Sequence, residues 1–434
     1  MKEVKLQSSH HPLSGELEIP GDKSISHRAI IMGSLASGKT KVTNFLDGED
    51  CMRTIHAFQK MGVSIEKQDT TVTIDSKGAA ALTEPKEPLY FGNSGTTARL
   101  MLGLLAGLPF FTSVYGDPSL SIRPMDRVLT PLKQMGAQID GREAGSYLPL
   151  SIRGKSLQGM DYTLPVKSAQ VKSAVLFAGL LASGETKVTE ETSTRNHTEN
   201  MLRAFGADIT VNGTTTTITN KQTLTASDVQ VPGDISSAAF FLAAAAIVPD
   251  SQLTLKNIGL NETRTGILDV LQAMGASIHL SNQQTTNGEL MGDVTVKYDK
   301  LHATTIDGSI IPRLIDEIPI IALIATQIDG TTIIEDAEEL RVKETDRIAA
   351  VADVLTTLGA NIETKHDGMV IHGKTRLSGG KIASYNDHRI AMMGAIASLV
   401  AQGEVIIDDI TSVAISYPNF FEHLQHIKNE STIM

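Results

Sequence analysis

Internal repetition constrains this chain more than any other feature. A short tag that reads as a helix end recurs: Met61-Gly62-Val63, Met135-Gly136-Ala137, Phe205-Gly206-Ala207, Met274-Gly275-Ala276 and Leu358-Gly359-Ala360. Each tag follows a helical pattern and precedes a β-like segment such as Ser64-Ile65-Glu66 or Gln138-Ile139-Asp140, so its glycine reads as a helix C-cap. The tags stand too far apart for a solenoid, whose period is about 20–50 residues, so each repeat is expected to be a small subdomain.

A second element recurs between the tags. A polar turn leads into an Ala/Leu/Ile-rich helix, which ends at Gly and a β-branched strand. The starts are Asp22, Asn93, Ser168, Asp234, Asp316 and Asp387, and the endings include Gly38-Lys39-Thr40, Gly184-Glu185-Thr186 and Gly330-Thr331-Thr332. Ala-rich helices resemble one another by chance, but the fixed order of tag, helix and strand argues for six real repeats. Two starts are near twins, Ile19-Pro20-Gly21-Asp22 and Val231-Pro232-Gly233-Asp234. A chain crossover at each is the simplest division. It gives one domain, residues 21–232, from repeats one to three. Residues 1–20 plus 233–434 give the other.

The first start carries the most chemistry. The strand-like Gly15-Glu16-Leu17-Glu18-Ile19 and the breakers Pro20-Gly21 precede Asp22-Lys23-Ser24-Ile25-Ser26-His27-Arg28. Ile25, Ala29, Met32 and Ala36 then recur on one helical face. Free N–H groups and the dipole make such a helix start attractive to anions. Lys23 adds a mobile charge, and Arg28 a planar fork on the same face as Ser24. The plain alternative is a capped helix with two solvated cations. Against it, the twin continues Ile235-Ser236-Ser237-Ala238 with no cation. The cations are therefore not needed to build a repeat.

Composition narrows the partners. At 434 residues two domains are the default. Aromatics are 4%, Trp is absent and the formal net charge is -11, which argues against nucleic-acid binding. Cys51 is the only cysteine, so neither an intrachain disulfide nor a Cys-based zinc site is available. The N-terminal stretch lacks the apolar core of a signal peptide, and the longest apolar run, Ala238 to Val248, is too short for a bilayer. A cytoplasmic protein with no membrane partner is expected.

Other starts hold polar clusters. Gly92-Asn93-Ser94-Gly95-Thr96-Thr97 is a small-residue turn whose backbone could approach a ligand, or an ordinary cap. Ser121-Ile122-Arg123-Pro124 reads as opening a helix, Ser168-Ala169-Gln170 as capping one, and Arg195 sits in the polar loop Ser193 to His197. In Arg341-Val342-Lys343-Glu344-Thr345-Asp346-Arg347, Lys343 and Arg347 are expected on one helical face, with a salt-bridged surface helix as the alternative. Asp316-Glu317 and Asp387-His388-Arg389 start helices. An acid beside many cations is a candidate base. Gly33 to Thr40 fits GxxxxGK[ST], but a helical pattern precedes it and Lys41-Val42-Thr43 reads as a strand after it, the reverse of a P-loop.

Together these motifs resemble the EPSP synthases, the 3-phosphoshikimate 1-carboxyvinyltransferases. The resemblance runs through GDKSISHRA (21–29), GNSGTT (92–97), IRPM (122–125), SAQ (168–170), LIDEIP (314–319), RVKETDR (341–347) and NDHR (386–389). It implies an α/β fold of two domains, each an inside-out barrel of three βαβαββ repeats. The active site would lie in the interdomain cleft, which closes on substrate. The reaction transfers the enolpyruvyl group of phosphoenolpyruvate to the 5-hydroxyl of shikimate 3-phosphate and releases phosphate. It needs neither metal nor organic cofactor.

Carried over by position, Lys23, Ser24, Arg28, Ser168, Ala169, Gln170, Arg195, Asp316 and Lys343 would contact shikimate 3-phosphate. Lys23, Asn93, Gly95, Arg123, Gln170, Arg347 and Arg389 would contact phosphoenolpyruvate. Asp316 and Glu344 would move protons, with Lys23 and Lys343 beside them. The resemblance also implies a monomer and inhibition by glyphosate, since Gly95 stands where some tolerant members have Ala. One departure is Ile415, in Ala414-Ile415-Ser416-Tyr417-Pro418, where many members carry Lys. With GNSGTT and SAQ it resembles the family's second sequence class. The rival is the sister transferase acting on a UDP-amino sugar, which uses a loop cysteine that Cys51 does not match.

Overall fold

The structure, a computed structural model, describes residues 2–8, 11–219 and 222–428. The chain forms two compact bodies. The first comprises Gly21–Val231 with Thr285–Glu289; the second comprises Met1–Pro20, Pro232–Gln284 and Leu290–Met434. Helices α1 (Lys23–Leu35), α2 (Glu49–Lys60), α3 (Gly95–Gly107), α4 (Asp126–Gln134), α5 (Ala169–Leu181) and α6 (His197–Ala204) belong to the first. Helices α7 (Ile235–Ile247), α8 (Gly266–Ala273), α9 (Ile311–Leu314), α10 (Ile318–Thr326), α11 (Arg347–Thr357), α12 (His388–Ala397) and α13 (Phe420–Ile427) belong to the second.

The repeat is plainest in its second copy. Leu89–Tyr90, α3, Phe111–Tyr115, α4, Gln138–Arg142 and Tyr147–Arg153 follow in order, a βαβαββ unit. Phe111–Tyr115 pairs parallel with Leu89–Tyr90 and antiparallel with Tyr147–Arg153, which pairs antiparallel with Gln138–Arg142. Repeats three and five keep this pattern. Repeats one and four take their parallel edge strand from a distant segment. Ala36–Thr43 pairs with Leu224–Thr225 and Val229–Gln230, while Gln252–Gly259 pairs with Ser14–Glu18. In repeat six, Val4–Leu6 stands antiparallel to Gln402–Ile407.

The recurring tags are Schellman caps. Met61, Met135, Phe205, Met274 and Leu358 are buried C-caps, and the glycines after them all have φ between 84° and 96°. The residue after each glycine donates back into the last turn: Val63 N to Phe58 O at 3.0 Å, and Ala360 N to Leu355 O at 2.9 Å. Each helix is therefore stopped and turned into a strand by the same local device.

Each body has helices inside and sheets outside. Every residue of α1 from Ile25 to Leu35 is buried, as are all of α7, α10 and α12. The single apolar face expected for Ile25, Ala29 and Met32 is therefore an underestimate, and Ala36 already begins a strand. Small side chains permit this interior: a Cβ on Gly103 of α3 would come within 2.1 Å of the Ala174 carbonyl on α5. Outer strands alternate; in Thr71–Lys77, Val72, Ile74 and Ser76 are buried while Thr73, Asp75 and Lys77 are exposed. Burying a Leu, Ile or Phe contributes about 1.5–3 kcal/mol, against about 1 kcal/mol for a cap. The interior helices thus carry the stability and the caps set where they begin.

Several local expectations change. Gly33 lies in α1 and Lys39 in the strand Ala36–Thr43, paired with Asp75 at 3.6 Å, so the GxxxxGK[ST] match forms no phosphate loop. Lys343 and Glu344 do not share a helix with Arg347. A 3₁₀ turn, Glu338–Val342, precedes them and α11 begins only at Arg347. The Asp346 side chain caps α11 by accepting from Ala349 N, which stops the helix from extending back. Arg123 likewise lies before α4, after the 3₁₀ turn Leu120–Ile122.

Candidate functional site

In the first body the sequence-derived residues collect at helix starts. Asp22, Ser94 and Ser168 cap α1, α3 and α5, accepting from Ile25 N at 2.8 Å, Thr97 N at 3.1 Å and Val171 N at 3.4 Å. Each cap takes up one free N–H and leaves the helix pole positive. Lys23 Nζ lies 3.2 Å from Asp50 Oδ2 on α2. Ser24 is half-buried on the first turn of α1 and gives its carbonyl to Arg28 Nη1 at 3.0 Å.

The turn before α3 is tied to Arg123, whose Nη2 donates to Asn93 Oδ1 at 2.5 Å and to Ser119 Oγ at 3.3 Å. Gly95 sits against the arginines: a Cβ there would meet Arg99 Nη1 at 3.0 Å and Arg123 Nη1 at 3.4 Å. Gln170 accepts from Arg99 Nη1 at 2.9 Å and donates to Thr96 Oγ1 at 3.1 Å, which joins the start of α5 to α3. Ala169 lies half-buried between Ser168 and Gln170. Arg195 is half-buried in its loop, where Lys172 Nζ holds the preceding carbonyl of Thr194 at 3.4 Å.

A buried polar chain runs beneath these residues. His27 Nδ1 is 2.8 Å from Thr54 Oγ1, Thr54 Oγ1 is 2.9 Å from Thr97 Oγ1, and Thr97 Oγ1 is 2.7 Å from Ser94 Oγ. It links α1, α2 and the cap of α3. Burial, with Lys23 and Arg28 close by, holds the His27 pKa well below its ordinary 6.5, so the ring is neutral at pH 7. Burial also pulls the Arg28 pKa down to about 10, against the opposing pull of Glu199 and Asp22. Arg28 remains charged at neutral pH.

In the second body, Arg347 is the junction. Its Nε donates to Asp387 Oδ2 at 2.8 Å, its Nη2 to Glu344 Oε2 at 2.6 Å and its Nη1 to Asp316 Oδ1 at 3.3 Å. The side chain is 1% exposed. Burial alone would lower its pKa, but the carboxylates of Asp387, Glu344 and Asp316 outweigh burial and raise it. Asp316 faces two further cations, Lys343 Nζ at 3.8 Å and Arg389 Nη2 at 3.9 Å. Asp387 also caps α12, accepting from Arg389 N at 2.8 Å. One carboxylate thus starts the helix and aims the arginine. Ile415 ends the 3₁₀ turn Thr411–Ile415, which packs on α12.

Asp316, Lys343, Glu344, Arg347 and Arg389 form one cluster. Among the first-body residues, Asn93, Gly95 and Arg123 are grouped, and Gln170 joins them through Arg99. Sequence reasoning missed Asp50, Arg99, Ser173 and Thr198 as partners of these residues. It also read the twin start at Asp234 as lacking a cation, yet Arg264 Nη2 reaches Asp234 Oδ1 at 3.3 Å and Ser236 Oγ at 2.6 Å. Asp234 and Arg264 lie too far apart in sequence for local spacing to reveal the pair.

Six α/β repeats, five of them βαβαββ and the sixth with a three-stranded sheet among the described residues, carry arginines and lysines at chosen helix starts and define a class: repeat-built α/β proteins equipped for small anionic substrates. A family model described as EPSP synthase (3-phosphoshikimate 1-carboxyvinyltransferase) matches residues 8–424. The chain belongs to the EPSP synthase family. The 3-phosphoshikimate 1-carboxyvinyltransferase of Oceanobacillus iheyensis is 59% identical over 427 residues, covering 98% of this chain and all of the relative. That of Bacillus subtilis is 55% identical over 432 residues, covering 99% of this chain and all of the relative. A solved EPSP synthase from Acinetobacter baumannii superimposes with a TM-score of 0.89 at 42% identity, covering 98% of each chain.

Proposed function

We propose that the chain transfers the enolpyruvyl group of phosphoenolpyruvate to the 5-hydroxyl of shikimate 3-phosphate, giving 5-enolpyruvylshikimate 3-phosphate and phosphate. Family membership fixes the reaction class. The observation that carries the assignment of roles is Asp316, a carboxylate set among Lys343, Arg347 and Arg389 with Glu344 on the same guanidinium.

Asp316 takes the proton of the 5-hydroxyl as its oxygen attacks C2 of phosphoenolpyruvate. Glu344 delivers a proton to the methylene carbon, which becomes methyl in a tetrahedral intermediate. Breaking the C2–O bond to phosphate and removing one methyl proton restores the vinyl group. Arg123, Arg347, Arg389 and Lys23 stabilise the carboxylate and phosphate charges of phosphoenolpyruvate, with Asn93, Gly95 and Gln170 lining its place. Ser24, Arg28, Ser168, Ala169, Gln170 and Arg195 hold shikimate 3-phosphate, which Lys23 and Lys343 also touch. The enol ether must be kept from water while it forms.

The UDP-amino-sugar reading loses ground at Cys51. It is buried in α2 with its Sγ 3.9 Å from the Lys23 carbonyl, not on a loop where a thiol could serve as acid. Among the described residues no helix is long and apolar enough to cross a membrane. We take the protein to act as a cytoplasmic monomer, and to be sensitive to glyphosate because Gly95 carries no methyl group against Arg99 and Arg123.

The test is phosphate release from phosphoenolpyruvate. Release is expected only when shikimate 3-phosphate is present, and titration with glyphosate should suppress it. Release indifferent to shikimate 3-phosphate would overturn the reaction; a flat glyphosate curve would overturn the inhibitor assignment alone.

A further inference from the structure

Arg28 is buried, 3% exposed, yet among the described residues it touches no carboxylate. Its Nε donates to Thr198 Oγ1 at 2.7 Å and its Nη2 to Ser173 Oγ at 2.7 Å. The two hydroxyls lie 2.7 Å apart, and Ser173 Oγ donates to the Ala169 carbonyl at 2.7 Å. A hydroxyl has one proton. The Ser173 proton is committed to Ala169, so Thr198 must donate to Ser173, and both oxygens accept from the guanidinium. Each hydroxyl hydrogen of the clamp has one destination, which leaves a single orientation for the fork.

The contrast with Arg347 is informative. That guanidinium is bound by three carboxylates, whereas Arg28 is bound by two neutral hydroxyls and a carbonyl. The acid beside Thr198 in sequence, Glu199, acts on Arg28 without touching it: its Oε1 lies 2.7 Å from Lys172 Nζ, which also binds Glu190 Oε2 at 2.8 Å. Lys172 and Ser173 are adjacent on α5. One residue engages the nearby acids, and the next holds the arginine. Burial without a contacting counter-ion is costly unless a ligand supplies the charge.

We propose that Ser173 and Thr198 are positioning residues that orient Arg28 through uncharged contacts, so that its charge is left for an anionic group of shikimate 3-phosphate. The proposal rests on the reading of Arg28 as a shikimate 3-phosphate residue. It names a specificity device: affinity for this one substrate depends on two hydroxyls that do not touch it.

Steady-state kinetics with each substrate varied in turn provides the test. Thr198→Val, and separately Ser173→Ala, should raise KM for shikimate 3-phosphate by about tenfold, as loss of a hydrogen bond to a charged group does. KM for phosphoenolpyruvate and kcat should stay at wild-type values, and Thr198→Ser should restore the wild-type KM. A merely structural role would move both KM values together or lower kcat. An unchanged KM for shikimate 3-phosphate in whichever of the two variants folds, or an equal rise for both substrates, overturns the proposal. Arg28→Ala separates the two readings. If it raises KM for shikimate 3-phosphate while the hydroxyl variants do not, only the clamp is wrong. If it leaves that KM unchanged, the assignment of Arg28 is wrong.

Discussion

Single residues do two jobs in this protein, and His27 shows the consequence most measurably. It lies inside the motif that carries Lys23 and Arg28, yet it is a buried neutral ring bonded to Thr54. Because its folded pKa lies well below 6.5, the unfolded chain binds a proton that the folded chain refuses once pH drops below about 6.5. The stability it contributes is complete above that pH and is lost as pH falls below it. The loss is expected to approach about 1.4 kcal/mol per pH unit. Urea unfolding of wild type and His27→Asn between pH 7 and pH 5 checks this. The difference in stability between the two proteins should shrink steadily with acid; a constant difference would contradict the role given to His27.

The same scale shows what the sequence could not reveal. Lys23, Ser24, Arg28 and the caps Asp22, Ser94 and Ser168 were legible because a cap and the helix it starts are neighbours in sequence. Arg99 with Gln170, Arg28 with Thr198 and Arg347 with Asp387 were not, because those pairs form only when separate repeats pack. Lys343 and Glu344 were misplaced on a helix because their spacing from Arg347 fits one, while the Asp346 cap that stops α11 there is visible only in its hydrogen bond.

At the level of elements, the legible part was the repeat itself. The tag Met-Gly-Val or Met-Gly-Ala is a complete instruction: a buried C-cap, a left-handed glycine and a return bond. Gly136 isolates the backbone part of this, since φ is +96° and a Cβ there would have nothing within 4 Å. Gly136→Ala should cost about 1–2 kcal/mol through left-handed strain alone. Both KM values should stay unchanged, as read from urea midpoints and kinetics on one preparation. The parallel edge strands of repeats one and four were harder to read. Ser14–Glu18 reads as a strand, but its partner Gln252–Gly259 lies beyond the second twin Pro-Gly-Asp start, and the two-residue Val229–Gln230 joins Ala36–Thr43 from the far end of the same body.

For the whole molecule, a formal net charge of -11 coexists with a function that binds two polyanions. At the helix starts cations and acids occur together: Lys23 faces Asp50, and Arg347 faces Asp316, Glu344 and Asp387. Each body is discontinuous in sequence, and each contributes residues to the proposed reaction, Lys23 from one and Asp316 from the other. The account therefore requires both sets of residues for one turnover. The most direct measurement is the rate of shikimate 3-phosphate-dependent phosphate release by Lys23→Ala and Asp316→Asn, each first shown to unfold with the wild-type midpoint. Both variants should lose turnover by about a hundredfold or more, the scale of a lost base or a lost charge contact to the transition state. Wild-type turnover in either folded variant would contradict the account.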